Sequence, residues 1–157
     1  MTLTEKQIKA IEISKQRIRN REDFTCIAGY AGSGKTFLVR ILIDSLNLSE
    51  SEVVFISYTG KASLVLRNMG CKNSMTSHKL LYNSILKKDG TFIHQPKNIG
   101  ELRRYKLIIV DEVSMLPDEI WKLLLKHKIP IIALGDPFQL PPIGSDNRVL
   151  YRPHIFL

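Results

Sequence analysis

The eight residues Gly29-Tyr30-Ala31-Gly32-Ser33-Gly34-Lys35-Thr36 fit the pattern G-x-x-x-x-G-K-[ST] without a mismatch. A short apolar run, Phe24 to Ala28, precedes them, and helically spaced apolar residues (Phe37, Leu38, Ile41, Leu42) follow. Strand, glycine loop and helix in that order place successive backbone N–H groups and the positive end of a helix dipole around one anion. A side chain at the glycines would collide with a phosphate held there. In the resulting cradle, Gly29, Gly32, Ser33 and Gly34 line a triphosphate and Lys35 reaches its β- and γ-phosphates. The Thr36 hydroxyl holds Mg²⁺. A merely flexible Gly/Ser loop, the alternative, would not need a strand before it and a helix after it.

The rest of the chain keeps the same alternation. Thr4 to about Asn20 reads as an amphipathic helix with Ile8, Ile11 and Ile18 near one face, and Thr4 with Gln7 matches a capping box. Strands are expected at 24–28 and 53–58, with helices at about 35–46, 61–69 and 77–82. Residues 83–104 break the rhythm: two extended stretches flank Asp89-Gly90, a two-residue turn signal, and predict an inserted antiparallel hairpin. Leu107 to Val110 and Pro130 to Leu134 are continuous apolar runs, as strands buried on both faces require. A helix opens at Pro117, and Pro153 to Leu157 begins a further strand. The expected fold is α/β: a parallel central sheet between two helical layers, with a small inserted hairpin.

The strand at 107–110 ends in Asp111-Glu112. Beside a phosphate loop, the first acid orients Mg²⁺ and the second can act as general base on an attacking water. A solvated loop opening with two acids is the structural alternative. Gly135-Asp136-Pro137-Phe138-Gln139 follows the next buried strand. Ligands of open parallel sheets sit beyond strand C-termini, so Gln139 could approach the γ-phosphate; by itself, the segment would read as an ordinary turn.

Net charge is +8, with 23 basic against 15 acidic residues, which favours a polyanionic partner. No apolar stretch is long enough to span a bilayer, and the N-terminus lacks an apolar signal core. The two cysteines suit a reducing compartment, and Cys26 falls in a strand as a small buried hydrophobe. A cytoplasmic location is expected, with no membrane partner. The four histidines are scattered and neither cysteine has a metal-ligand neighbour.

Six segments together resemble superfamily 1B helicases, the RecD-like and Dda-like branch. They are Leu3-Thr4-Glu5-Lys6-Gln7, the phosphate loop, Tyr58-Thr59-Gly60-Lys61-Ala62, Thr76-Ser77-His78, Val110-Asp111-Glu112-Val113-Ser114-Met115, and Gly135-Asp136-Pro137-Phe138-Gln139-Leu140-Pro141-Pro142. The resemblance implies a RecA-like ATPase domain of a 5′→3′ DNA helicase using ATP and Mg²⁺. It implies that Lys35, Glu112 and Gln139 are catalytic, that Thr36 and Asp111 serve the metal, and that Gln7 reads the adenine edge unless its cap role excludes this. It also implies that Thr59, Gly60, Lys61, Thr76 and His78 contact the single-stranded DNA backbone, as a motor gripping any sequence requires. The insert at 83–104 occupies the place of the strand-separating pin. Phe92 is its candidate base-stacking residue, unless it packs on the domain beneath. In the family a second RecA-like domain supplies arginines to the γ-phosphate, worth about 10³–10⁵ in rate. Those segments are absent here, so this chain alone is expected to be nearly inactive. The alternative reading is a non-catalytic, nucleotide-dependent module that binds DNA or protein.

Overall fold

The computed structural model describes residues 2–139 and 153–157. Helix α1 (Glu5–Arg19) starts where Thr4 caps it: Gln7 N–H donates to Thr4 Oγ1 at 3.2 Å, and Thr4 N–H donates to Gln7 Oε1 at 3.0 Å. This reciprocal pair satisfies two backbone donors that have no partner within the helix. Its inward face is Ala10, Ile11 and Ser14. Ile8 lies roughly a third of a turn away from that face and is 45% exposed, unlike the expectation for it.

Six strands form one sheet in the order β3-β2-β6-β7-β1-β8. They are β1 (Phe24–Ala28), β2 (Val53–Ser57), β3 (Ser74–Thr76), β6 (Leu107–Val110), β7 (Ile131–Gly135) and β8 (Ile155–Phe156), and every pairing among them is parallel. Helices α2 (Lys35–Ser45) and α3 (Gly60–Asn68) join α1 on one face; α4 (Ser77–Leu81) and α5 (Asp118–Lys126) cover the other. The strands alternate between the two cores, as a period of two demands. Val53, Phe55, Leu107 and Ile109 meet Ile11, Leu38 and Leu42 on one side. Val54, Ile56, Ile108 and Val110 meet Leu80, Trp121 and Leu124 on the other. The continuous apolar runs are therefore strands with no solvent face, and the three-layer α/β expectation holds.

Strand β3 escaped sequence reading, because three residues of Ser-Met-Thr carry no period and little apolar character. The helix expected to reach Tyr82 stops at Leu81. Tyr82 turns extended and opens β4 (Tyr82–Leu86), which pairs antiparallel with β5 (Phe92–Pro96). The hairpin turn is not the two-residue form expected. Lys87 N–H donates to Thr91 O at 2.7 Å and Gly90 N–H to Lys87 O at 3.0 Å, closing a longer loop in which Gly90 has φ +84°. A two-residue type I′ turn needs two left-handed residues, and only Gly90 is one. Asp89 instead spends its carboxylate accepting from the Thr91 N–H at 2.9 Å and hydroxyl at 2.6 Å.

Candidate functional site

The phosphate loop leaves β1 between its neighbours. Gly29 N–H donates to Gly135 O at 3.0 Å, tying the loop to the end of β7. Gly32 and Gly34 have φ of +79° and +81°, conformations that side-chain-bearing residues avoid. Gly34 caps α2 without a side chain, so the first amides of that helix receive no side-chain acceptor. The Ser33 hydroxyl is buried without a hydrogen-bond partner among the described residues. Unpaired donors at a helix N-terminus beside an orphaned hydroxyl are what a bound phosphate would satisfy, so these residues fit the group that the sequence implies.

Lys35 Nζ donates to Gly29 O at 2.7 Å and Tyr30 O at 2.9 Å, holding the loop closed over its own backbone rather than reaching toward the acids. Burial lowers its pKa from the usual lysine value, against the opposing charges of Asp136, Asp111 and Glu112. The charges of the expected acids thus reach the expected lysine. Asp136, which no motif singled out for a role, contributes the largest of the three attractions. Burial and then the Glu112 charge push the Asp111 carboxyl upward, and the Glu112 backbone N–H and then Lys35 only partly offset this. A desolvated carboxylate next to a second acid is a site that a divalent cation would relieve. Glu112 itself takes φ 49° and ψ 54°, a left-handed backbone unusual for a residue with a side chain, where β6 hands over to the next turn. Among the described residues no group of three or more His, Cys, Asp or Glu clusters as a metal site. A Mg²⁺ held mainly by phosphates and water needs no more than Thr36 and Asp111 supply.

Gln139, an exposed residue, is tied to Ser114, whose hydroxyl donates to Gln139 Oε1 at 3.3 Å. This links the segment after β7 to the turn after Asp111-Glu112. The Gln7 cap is formed, with Oε1 accepting from the Thr4 N–H, while Nε2 lies beside the loop. A Cβ at Gly34 would meet that nitrogen at 3.3 Å. Leu140-Pro141-Pro142 lie outside the described residues.

The proposed strand-gripping residues form a second group on the same sheet edge. β2 pairs with β3 so that Ser57 sits opposite Thr76, which brings Thr59-Gly60-Lys61 alongside Thr76-Ser77-His78. Both threonines are helix caps: Thr59 Oγ1 accepts from Ala62 N–H, and Thr76 Oγ1 from Lys79 N–H, each at 3.2 Å. Gly60 has nothing near its Cβ position, and Lys61 is exposed. Phe92 is 63% exposed on the hairpin and does not pack on the domain beneath. Sequence reasoning missed Tyr30, Phe138 and Asp136. The available signal was two aromatics placed in glycine- and proline-containing loops, where neither can serve a core.

A family model described as an AAA domain matches residues 11–145. The chain is 28% identical to the ATP-dependent DNA helicase dda of Enterobacteria phage T4 over 98% of its length and 36% of that protein's. It is 32% identical to the ATP-dependent RecD2 DNA helicase of Deinococcus radiodurans over 79% of its length and 17% of that protein's. The structure of a Bacteroides sp Pif1 in complex with ADP-AlF4 superposes with a TM-score of 0.64 at 25% identity, covering 93% of this chain and 35% of that one. The chain spans about a third of the length of the first curated relatives it matches. Among the described residues no helix is long and apolar enough to cross a membrane.

Proposed function

The chain belongs to the AAA domain family and, within it, to the superfamily 1B helicases, whose first motor domain it matches; on that premise we propose that it is the ATP-hydrolysing half of a 5′→3′ DNA helicase motor. ATP binds on the phosphate loop, its phosphates taken by the amides of Gly29, Gly32, Ser33 and Gly34 and by Lys35. Thr36 and Asp111 would hold Mg²⁺, which when bound would supply positive charge against the phosphoryl group. Glu112 accepts a proton from the attacking water, and Gln139 senses the γ-phosphate through the Ser114 link. Gln7 reads the adenine edge with its Nε2, which lies beside Gly34 while Oε1 stays in the cap. Single-stranded DNA lies across Thr59, Gly60, Lys61, Thr76 and His78.

The observation that carries this reading is the phosphate loop itself, whose Ser33 hydroxyl and helix amides are unmet and whose Lys35 feels the charges of Asp136, Asp111 and Glu112. A second RecA-like domain completes the site. Without its arginines, turnover is expected to be about 10³–10⁵ slower. Titration of the 157-residue chain with a fluorescent ATP analogue and Mg²⁺ should show binding, with only trace hydrolysis in the presence of an oligonucleotide. Fusing a relative's second motor domain should restore DNA-stimulated turnover. Rapid turnover by the chain alone would refute the requirement for a second domain, and absence of nucleotide binding would refute the whole reading.

A further inference from the structure

Tyr58, His78 and Tyr82 form a row of rings drawn from three elements: the residue after β2, the body of α4 and the first residue of β4. Centroids lie 5.9 Å apart for Tyr58 and His78, and 5.6 Å apart for His78 and Tyr82, whose planes are 19° from parallel. The hairpin register extends the row. Tyr82, Ser84 and Leu86 share one face of β4, and their partners on β5 are Pro96, His94 and Phe92. At the root of that face His78, Lys79, Tyr82, Ser84 and His94 line a cavity of about 320 Å³. Ser84 Oγ and His94 Nδ1 are hydrogen-bonded at 3.0 Å, which orients the imidazole and leaves its Nε2 for a ligand.

These features specify an occupant. Aromatic faces select a flat π-system, the exposed His94 ring with its second nitrogen selects a polar edge, and the exposed Lys79 selects a nearby negative charge. The volume is at the small end for a ligand site, enough for one planar group rather than an extended molecule. Tyr82 packs partly on the core beneath, so the platform is already ordered before anything binds. We infer that the hairpin root is a slot for a single unpaired base of the strand crossing Thr59–Lys61 and Thr76–His78. Tyr82 stacks on the base, His94 meets its edge and Lys79 faces the adjoining phosphate. The slot is separate from Phe92 near the hairpin tip. It rests on the single-stranded DNA reading of the neighbouring segments and adds to it a contact with bases.

The test is a thermodynamic cycle between a thymidine oligomer of about twelve nucleotides and an abasic backbone of the same length. Binding of both to the 157-residue chain is measured at one fixed salt concentration, then repeated with Tyr82→Ala and Tyr82→Phe. The preference for bases over bare backbone should shrink roughly tenfold in Tyr82→Ala and persist in Tyr82→Phe. His94→Ala, at an exposed hairpin position that no fold argument depends on, should shrink it several-fold and serves if Tyr82→Ala does not fold. An unchanged preference in folded Tyr82→Ala and His94→Ala, with salt-dependent binding retained, overturns the slot and leaves the DNA reading standing. No binding of either oligomer to the parent chain at any salt concentration overturns both.

Discussion

The rings of Tyr30 and Phe138 are stacked, with centroids 5.2 Å apart and planes 14° from parallel. Tyr30 belongs to the phosphate loop and Phe138 precedes Gln139, so the loop and the candidate γ-phosphate sensor are joined through side chains as well as through the β1–β7 pairing. Phe156 on β8 meets the Tyr30 ring edge-on at 5.6 Å, and all three rings remain substantially exposed.

Removing this stack should loosen the sensor more than the fold. An aromatic pair is worth about 0.5–1.5 kcal/mol beyond its buried area, and less where both rings face water. Tyr30→Ala should therefore lower stability by no more than about 1 kcal/mol. Amide exchange at Phe138 and Gln139 should speed up markedly. Tyr30→Phe should leave both unchanged. Hydrogen exchange read by mass spectrometry decides this, and equal exchange in the alanine variant would mean that the stack positions nothing.

Lys35→Ala should weaken triphosphate binding by roughly ten- to a hundredfold, the usual scale for one charge-assisted contact. It also removes the two bonds to Gly29 O and Tyr30 O that close the loop, yet those carbonyls can turn to water. Thermal stability should accordingly change little. Titration with a fluorescent nucleotide beside a melting curve separates the two effects. A variant that binds as tightly as the parent would show that Lys35 never leaves its loop carbonyls.

The fold was legible wherever burial writes a pattern. Leu107 to Val110 and Ile131 to Leu134 have no solvent face, so their composition alone announces strands. Thr4 and Gln7 announced a helix start because a capping box is a local device needing no tertiary partner. β3 was illegible because its strand character comes from pairing with Phe55 to Ser57, a relation that its own residues do not encode. The hairpin turn was misread for the opposite reason: Asp89-Gly90 permits two turn types, and the choice fell to a side-chain bond from Thr91. The site followed the same division. Lys35, Asp111 and Glu112 stand in motifs, whereas the influence of Asp136 on Lys35 and the Tyr30–Phe138 stack arise only when β1 and β7 lie side by side.

A pH dependence follows from Glu52, the residue before β2. Lys106 Nζ donates to its carboxylate at 2.6 Å, and the Ser49 N–H and hydroxyl donate to its other oxygen at 2.9 and 3.0 Å. Led by the Lys106 hydrogen bond, these contacts hold its pKa down at about 2 against an ordinary 4.5. A depressed carboxyl binds fewer protons folded than unfolded, so its stabilising contribution is complete above pH 4.5 and is lost as pH falls toward 2. The urea midpoints of the parent and Glu52→Gln should differ at about pH 6 and converge as acid is added. A gap that stays constant down to about pH 3 would exclude this network as the source.

Glu112 joins a candidate catalytic role to a strained backbone, and the two can be pulled apart. Its φ of 49° and ψ of 54° cost a residue with a Cβ about 1–2 kcal/mol relative to right-handed geometry. Glycine adopts that conformation freely but loses more chain entropy on folding, so the two effects partly cancel. Glu112→Gly should raise stability by up to about 1 kcal/mol, whereas Glu112→Gln, which keeps the Cβ, should leave it unchanged. Both variants should still bind nucleotide, because the phosphate cradle is made of backbone amides and Lys35. Fused to a second motor domain, both should lose turnover, since neither can accept a proton from water. Chemical denaturation and single-turnover hydrolysis on the same preparations make the comparison. If glycine destabilises as much as any core substitution, the left-handed turn is not strained; if glutamine retains turnover, the base lies elsewhere, and Asp136 is the next carboxylate whose charge Lys35 feels.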